Sequence, residues 1–161
     1  MIIGLPKETK DQELRVGITP DGVDTLIKGG HRVLIQQNAG VGSGISDDSY
    51  SQMGAELVKT AEALFSSSDL IVKVKEFQLY ECDLLRPGLT TFSFLSLGIN
   101  PKLAQALMES KVTAIAYETI ELNDGTLPIL RPMSALTGRL AVDVATHYLK
   151  SPQGGAGKLL S

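Results

Sequence analysis

The chain has 161 residues and a mass of 17.2 kDa, with 43% hydrophobic and 20% charged residues and no tryptophan. This length fits one domain with room for a linker, and the composition excludes an intrinsically disordered or fibrous protein. The formal net charge is −3 and the pI is near 5.4, which excludes a general electrostatic attraction to nucleic acid or to an anionic membrane surface.

Short apolar runs alternate with helical patterns along the chain, which is typical of a βαβ series. The predicted strands are Ile2–Leu5, Arg32–Gln36, Leu70–Lys75, Thr90–Leu95 and Val112–Ala116. Since strands joined by helical crossovers lie parallel and are covered on both faces, we expect an α/β fold. The predicted fold class is a parallel sheet flanked by helices, a Rossmann-like or flavodoxin-like layer, followed by a long connecting helix.

Polar capping residues predict the helices between these strands. Thr19 and Asn100 each precede a proline, which is favoured at the first position of a helix, and Thr60 precedes a third apolar pattern. Gly29-Gly30 ends the first of these helices.

The last predicted helix is the longest and covers Ala135–Leu149, with Ser134 as its N-cap. Apolar side chains recur along it at helical spacing, at Leu136, Leu140, Val144 and Tyr148. Ser151–Lys158 is a loop by composition, and Leu159–Ser161 resembles the start of a further strand.

The residue content also bears on the compartment and on metal binding. Cys82 is the only cysteine, so no intrachain disulfide is possible and a reducing, cytoplasmic location is expected. The first residues lack the basic start of a signal peptide, and no stretch approaches the roughly 20 apolar residues that span a membrane. No metal site is predicted, because neither His31 nor His147 has a partner at ligand spacing.

Two glycine clusters invite a nucleotide-binding interpretation, and the spacing of both argues against it. A dinucleotide fingerprint that started at Gly40 would require glycine at Ile45. A P-loop that ended at Gly157-Lys158 would require glycine at Pro152 and a hydroxyl at Leu159. We therefore predict a tight turn for the first cluster and a flexible loop for the second.

Two cations are candidates for binding a carboxylate, and one of them, Lys75, is also a candidate for an imine-forming amine. Strand alternation places Lys73 and Lys75 on one face, with Lys75 at the carboxyl end of its strand, where ligands bind in open α/β sheets. Arg15 lies in a polar loop, where a guanidinium can hold a carboxylate with two parallel hydrogen bonds. The alternatives are a solvated strand tip for Lys75 and a surface arginine for Arg15.

Motifs along the whole chain resemble the N-terminal part of alanine dehydrogenases. They are Gly4–Glu8, Glu13–Val16, Thr19-Pro20, Ala39–Gly44, Ser46–Tyr50, Val72–Glu76, Ala114–Thr119, Pro132–Ser134 and His147–Leu149. The related transhydrogenase α subunits share the opening motif, but the segments around Lys75 and Tyr117–Thr119 are more similar to alanine dehydrogenase.

The resemblance implies an enzyme that interconverts L-alanine, NAD and water with pyruvate, ammonia and NADH. Members of this family have a discontinuous substrate domain and a central NAD-binding Rossmann domain, and form symmetric oligomers. The implied division is residues 1–132 as a substrate-binding α/β domain, 133–150 as a connecting helix and 151–161 as the start of the NAD-binding domain.

The resemblance also implies roles for individual residues. Arg15 and Lys75 would hold the carboxylate and the carbonyl of pyruvate, and Lys75 would also polarise the carbon that accepts hydride. Met133 would line the cleft, and Ser134 would contact the nucleotide near a helix N-terminus, whose free N–H groups attract phosphate. Ser96 stands where the family has a histidine, and a hydroxyl cannot exchange a proton near neutral pH as imidazole does.

The family's catalytic aspartate and glycine fingerprint would lie beyond Ser161, so this chain alone is expected to be inactive. One alternative is the N-terminal segment of a proton-pumping transhydrogenase α subunit, which requires a membrane partner. Another is a non-catalytic assembly module, in which the apolar face of the last helix drives self-association or binding to a dehydrogenase-like partner.

Overall fold

The computed structural model describes residues 1–160 and divides the chain into two compact units, Met1–Tyr117 and the residues from Glu118 onward. The first unit alternates strands and helices: β1 (Ile2–Leu5), α1 (Pro20–Lys28), β2 (Arg32–Gln36), α2 (Asp47–Gln52), β3 (Glu56–Val58), α3 (Ala61–Ser67), β4 (Leu70–Val72), β5 (Thr90–Ser93), α4 (Pro101–Ser110) and β6 (Thr113–Ala116). The second unit contains the long helix α5 (Leu130–Leu149). Short 3₁₀ turns cover Val41–Ser43, Leu79–Leu84, Leu97–Ile99, Tyr117–Thr119 and Ser151–Gln153.

The six strands form one sheet in the order β3-β2-β1-β4-β5-β6, and every neighbouring pair is parallel. This arrangement confirms the predicted α/β class with a parallel sheet flanked by helices. The strand order reverses between β1 and β4, because the chain adds strands first on one side of β1 and then on the other. The crevice beyond the carboxyl ends of these two strands is therefore the topological switch point, where open α/β sheets bind ligands.

The predicted capping residues form the helix ends that the sequence indicates. The hydroxyl of Thr19 accepts a hydrogen bond from the Gly22 N–H, and the side chain of Asn100 accepts one from the Leu103 N–H. The helices bury their apolar faces on both sides of the sheet, in two clusters. One cluster includes Leu34, Leu64, Phe65, Ile71, Phe77, Leu95 and Leu103, and the other includes Leu5, Val23, Val33, Ile35 and Tyr50.

Several predicted strand bounds are wrong. β4 ends at Val72 rather than Lys75, β5 ends at Ser93 rather than Leu95, and β6 starts one residue later than predicted. β4 is short because β1 pairs with it only through Ile3 and Gly4 before leaving the sheet, which removes its partner on that side. The three-residue strand β3 was not predicted, since so short an edge strand leaves little periodicity to recognise.

The start of the last helix is also wrong in the prediction. α5 begins at Leu130, so Ser134 lies inside the helix and is not its N-cap. Proline is tolerated in the first turn of a helix because the N–H that it lacks has no partner there, and Pro132 occupies such a position. Leu159 and Leu160 form no strand, and Ser161 lies outside the described residues. Within residues 1–160 no helix has both the length and the apolar character that a membrane crossing requires.

Candidate functional site

The segments that follow β1 and β4 are joined at the switch point by a buried carboxylate. Glu8 is 9% exposed, and its two oxygens accept hydrogen bonds from consecutive backbone amides, Oε1 from Val74 at 2.6 Å and Oε2 from Lys75 at 3.3 Å. Burial raises the pKa of Glu8, and the nearby Lys73 cation opposes this shift. The carboxylate thus replaces the strand pairing that ends where β1 leaves the sheet.

A second contact ties the same two segments together. Lys10, two residues after Glu8, forms an ion pair with Glu76, the residue that follows Lys75. The loop after β1 therefore holds the chain on both sides of Lys75. This loop also carries Glu13 and Arg15.

Arg15 is held by a carboxylate of its own loop. Its Nε donates to Oε1 of Glu13 at 2.8 Å and its Nη2 donates to Oε2 at 2.6 Å, the two-pronged geometry that a guanidinium makes with a carboxylate. These bonds from Arg15 lower the pKa of Glu13 and raise that of the guanidinium. Glu13 thereby fixes the direction of the Arg15 side chain.

Lys75 lies close to this pair. Its side chain is half-buried, and among residues 1–160 its ammonium group forms no hydrogen bond or ion pair. The Lys75 cation also contributes to lowering the pKa of Glu13, after the larger effect of Arg15. Both predicted cations therefore act on one carboxylate, and we call Glu8, Glu13, Arg15 and Lys75 the switch-point site.

Lys73 has a different role from Lys75. It is fully buried, and its Nζ donates to both oxygens of Glu81, at 2.6 and 2.7 Å, and lies 5.1 Å from the centre of the Phe77 ring. Lys73 is therefore paired inside the protein, and of the two lysines only Lys75 remains a candidate for binding a ligand. Its partner follows it by eight residues in a 3₁₀ turn, and no local pattern in the sequence indicates this pairing.

A cavity of about 250 Å³ opens beside two of the site carboxylates. It is lined by Lys7, Glu8, Glu13, Leu14, Asn38, Ala39, Val41 and Gly42. Its walls come from the loops that follow β1 and β2. Neither Arg15 nor Lys75 is among the residues that line it.

Ser96 follows the carboxyl end of β5 and has an unusual backbone conformation. Its φ is +51°, in the left-handed region that few residues other than glycine adopt, and its side chain is exposed. Tyr117 is buried near the same end of the sheet, with its ring edge-on to Phe92 and Phe94 at centroid distances of 4.3 and 5.2 Å. Burial raises the pKa of Tyr117, so its hydroxyl stays protonated near neutral pH.

Met133 and Ser134 belong to the second unit. Met133 is half-buried, whereas Ser134 is exposed and lines a cavity of about 350 Å³. The other walls of this cavity are Gly125, Thr126, Leu127, Leu130 and Arg131. Because α5 starts at Leu130, Ser134 lies beyond the first residues of the helix, and the Arg131 N–H at this end already donates to the Leu127 carbonyl at 2.9 Å.

Two glycines of the first cluster are required by close packing. A Cβ on Gly40 would lie 2.7 Å from the backbone oxygen of Ile45, and one on Gly42 would lie 2.9 Å from Leu14. These positions face the protein's own chain. Thus they do not fit a phosphate cradle, as the spacing predicts.

Comparison with known proteins identifies close relatives. The family model described as alanine dehydrogenase/PNT, N-terminal domain, matches residues 4–137. The chain is 44% identical to the alanine dehydrogenase of Methanococcus maripaludis, 47% identical to that of Mycobacterium tuberculosis and 45% identical to that of Bacillus subtilis. These alignments cover 99–100% of this chain but only 42–43% of the length of the relatives.

Solved structures agree with these sequence matches. An L-alanine dehydrogenase superposes on 98% of this chain with a TM-score of 0.90 at 44% identity, and the match covers 43% of that chain. A transhydrogenase from Sinorhizobium meliloti superposes on 73% of this chain with a TM-score of 0.69 at 27% identity, which covers 35% of that chain. The alanine dehydrogenase match is therefore closer in sequence, in structure and in coverage.

Proposed function

The chain belongs to the alanine dehydrogenase/PNT N-terminal domain family, and we propose that it is the substrate-binding part of an NAD-dependent alanine dehydrogenase. The complete enzyme would interconvert L-alanine, NAD and water with pyruvate, ammonia and NADH. The chain spans 43% of the length of its relatives, so we propose that it binds substrate without turning it over. Hydride transfer requires a second domain that holds the nicotinamide against the substrate carbon.

One observation carries the proposal: Arg15 and Lys75 lie in the segments that follow β1 and β4 at the switch point of the sheet, and the Glu8 carboxylate joins these two segments. The substrate is itself a carboxylate with an adjacent carbonyl or amino group. We propose that Arg15, directed by Glu13, binds the substrate carboxylate. The ammonium group of Lys75 would donate to the carbonyl oxygen of pyruvate, which makes the carbonyl carbon a better hydride acceptor.

The remaining site residues have supporting roles in this proposal. Ser96 would donate a hydrogen bond to the substrate carbonyl, and the acid–base step that a histidine performs at this position in the family would be slow or altered. Met133 would line the cleft. Ser134 would contact the cofactor, NAD, which supplies or accepts the hydride when bound, mainly to a domain outside residues 1–160.

Some broader predictions are also part of the proposal. We propose that residues 1–132 bind substrate, that 133–150 connect the domains and that 151–161 begin the NAD-binding domain. We also propose a cytoplasmic location, and assembly either as a homo-oligomer or with a nucleotide-binding partner domain. The single cysteine supports the location, and the exposed face of α5 supports the assembly.

Calorimetric titration of the chain with pyruvate tests the central proposal. We expect weak binding that Arg15→Ala and Lys75→Ala each abolish, because each removes one of the two cations that face the ligand. Lys102→Ala changes an exposed lysine of α4 and is the matched control, which should bind as the original chain does. A folded chain that does not bind pyruvate, or that binds equally well without Lys75, would contradict the proposed site.

A specific observation favours one alternative, the assembly module. Leu136, Leu140 and Val144 recur every four residues along α5 and are 50–53% exposed. Such a row of apolar side chains is typical of a protein contact. If this is the function, the mass in sedimentation rises with concentration, and Leu140→Asp abolishes the rise. Transhydrogenase remains a more distant alternative, since the identity there is 27%.

A further inference from the structure

Glu8 connects the two segments that carry the proposed substrate cations. Its carboxylate receives the N–H groups of Val74 and Lys75 through separate oxygens, across 66 and 67 residues of sequence. The same loop carries Arg15 seven residues later. A shift of the Glu8 carboxylate would therefore change the position of the Lys75 backbone relative to the loop that carries Arg15.

On the side that faces β1, the backbone amides of Val74 and Lys75 have the Glu8 carboxylate as their partner, and the Lys10–Glu76 ion pair is a separate side-chain contact one residue further on. The carbonyl of Val74 accepts a hydrogen bond from the Phe94 N–H at 3.2 Å, which fixes the side of the chain that faces β5. On the opposite side, β1 pairs with β4 no further than Gly4 and Ile71. Consequently the amides of Val74 and Lys75 depend on the Glu8 carboxylate for a partner, and a buried amide without one costs free energy.

Burial raises the pKa of Glu8, whereas the Lys73 cation and the two backbone N–H groups favour its charged form. The Lys73 cation acts on Glu8, and the negative charge of Lys73's own partner, Glu81, opposes it. Glu8 in turn contributes to raising the pKa of Arg15 and of Tyr117. Glu8 therefore lies within electrostatic reach of the groups around the substrate without being a residue that the family resemblance assigns to binding.

We propose that Glu8 is a positioning residue that sets the separation of Lys75 from Arg15, and that substrate affinity depends on both of its oxygens. This inference rests on the proposed function, since it concerns the same carboxylate site. Glu8 does not touch the substrate in this proposal. It acts through the backbone of Lys75.

Two substitutions separate position from charge. Glu8→Gln keeps the length of the side chain but turns one acceptor into an amide NH₂, which faces a backbone N–H and cannot accept from it. Glu8→Asp keeps the charge but shortens the side chain by about 1.5 Å, so that it cannot span both amides. If position is what matters, both variants should weaken pyruvate binding, whereas a purely electrostatic role would be rescued by aspartate.

The test measures pyruvate affinity by calorimetry and the ¹H–¹⁵N NMR shifts of the Val74 and Lys75 amides, at a temperature where each variant is folded by circular dichroism. We expect both Glu8 variants to bind at least ten-fold more weakly and to move both amide signals. Glu109→Gln changes an exposed carboxylate of α4 and is the control, which should change neither. A loss of stability without a loss of affinity in the folded variants would mean a merely structural role and would overturn the proposal.

A double-substitution cycle shows whether Glu8 acts through Lys75. Lys75→Arg keeps a cation at this position but changes its shape and its distance from the backbone. In this background Glu8→Gln should weaken pyruvate binding by less than three-fold rather than ten-fold, because the position that Glu8 sets for Lys75 is already lost. Equal effects in the two backgrounds would overturn the proposed route through Lys75. Failure of the proposed function and failure of this inference give different results. If the original chain does not bind pyruvate, the proposed function is refuted. If the original chain binds pyruvate and both Glu8 variants bind it with the same affinity, only the role of Glu8 is refuted.

Discussion

The buried ion pair between Lys73 and Glu81 makes the sharpest stability prediction. Among residues 1–160, Lys73→Met leaves the Glu81 carboxylate, which is 4% exposed, with the Gln78 N–H as its one remaining partner, at 2.7 Å. Removing one member of a buried pair typically costs about 3–5 kcal/mol, because the remaining charge stays buried without compensation. Since the whole free energy of unfolding of a domain is about 5–15 kcal/mol, this single change removes a large part of it.

The double variant Lys73→Met/Glu81→Gln should recover much of that loss. Glutamine keeps an acceptor for the Gln78 N–H, and no charge remains buried. We therefore expect the double variant to be at least about 2 kcal/mol more stable than the sum of the two single changes implies. Methionine has a length and apolar character similar to those of the lysine stem, so packing against Phe77 is retained.

Urea unfolding at pH 7, followed by circular dichroism, measures these differences. An exposed pair gives the matched control: Lys28 and Asp24 are 2.7 Å apart with side chains 75% and 39% exposed, and Lys28→Met should cost no more than about 0.5 kcal/mol. The reasoning is refuted if Lys73→Met costs no more than Lys28→Met, or if the double variant shows simple additivity.

Three further changes have defined outcomes. The hydrogen bonds from Arg15 lower the pKa of Glu13 from 4.5, so the original chain should have a higher free energy of unfolding than Glu13→Gln at pH 7, and this difference should disappear as the pH falls below about 4.5. A difference in the free energy of unfolding that stays constant from pH 7 to pH 3 would contradict this. A Cβ on Gly4 would lie 2.8 Å from a buried leucine methyl, so Gly4→Ala should lower the free energy of unfolding by about 1–3 kcal/mol, whereas Gly98→Ala enters open space and should change it by less than about 0.5 kcal/mol. Ser96→His should make the pyruvate affinity change with pH near pH 6.5, which the affinity of the original chain does not, because histidine titrates in that range and accepts the φ of +51° better than most residues. If calorimetry between pH 5.5 and 8 shows no such change, residue 96 does not contact the substrate.

The elements that sequence predicted well are those whose ends depend on near neighbours. The Thr19 cap reaches three residues ahead, to the Gly22 N–H, and the Asn100 cap does the same, to Leu103. Proline after each cap adds a second local signal. The start of α5 failed for the opposite reason, because Ser134 satisfies the capping pattern although the helix has already begun at Leu130.

The strand ends could not be read from periodicity alone. Lys73–Lys75 continues the alternation of β4, and the sequence shows no break after Val72. The break arises because β1, the neighbouring strand, turns away after Gly4 has paired with Ile71. A strand end is thus decided by the partner strand, whose paired residues are 67 positions away in sequence.

The candidate site divides in the same way into a part that the sequence indicates and a part that it does not. Arg15 and Lys75 follow the two strands that flank the reversal in strand order, so topology alone is enough to bring their loops together. No sequence pattern indicates the roles of Glu8 and Glu81. The role of each becomes evident only when the folded chain places a backbone amide or a lysine beside its carboxylate.

This difference has a physical cause. A cation that faces a ligand must remain available, so it lies near the end of a strand or in a loop, where sequence patterns expose it. A carboxylate that holds such a cation's backbone must be buried, as Glu8 is, because only there does the loss of its two amide bonds cost enough to fix a position. The residues proposed to bind the substrate can therefore be predicted from the sequence and its family, while a residue proposed to position them is found only from contacts such as those of Glu8 with Val74 and Lys75.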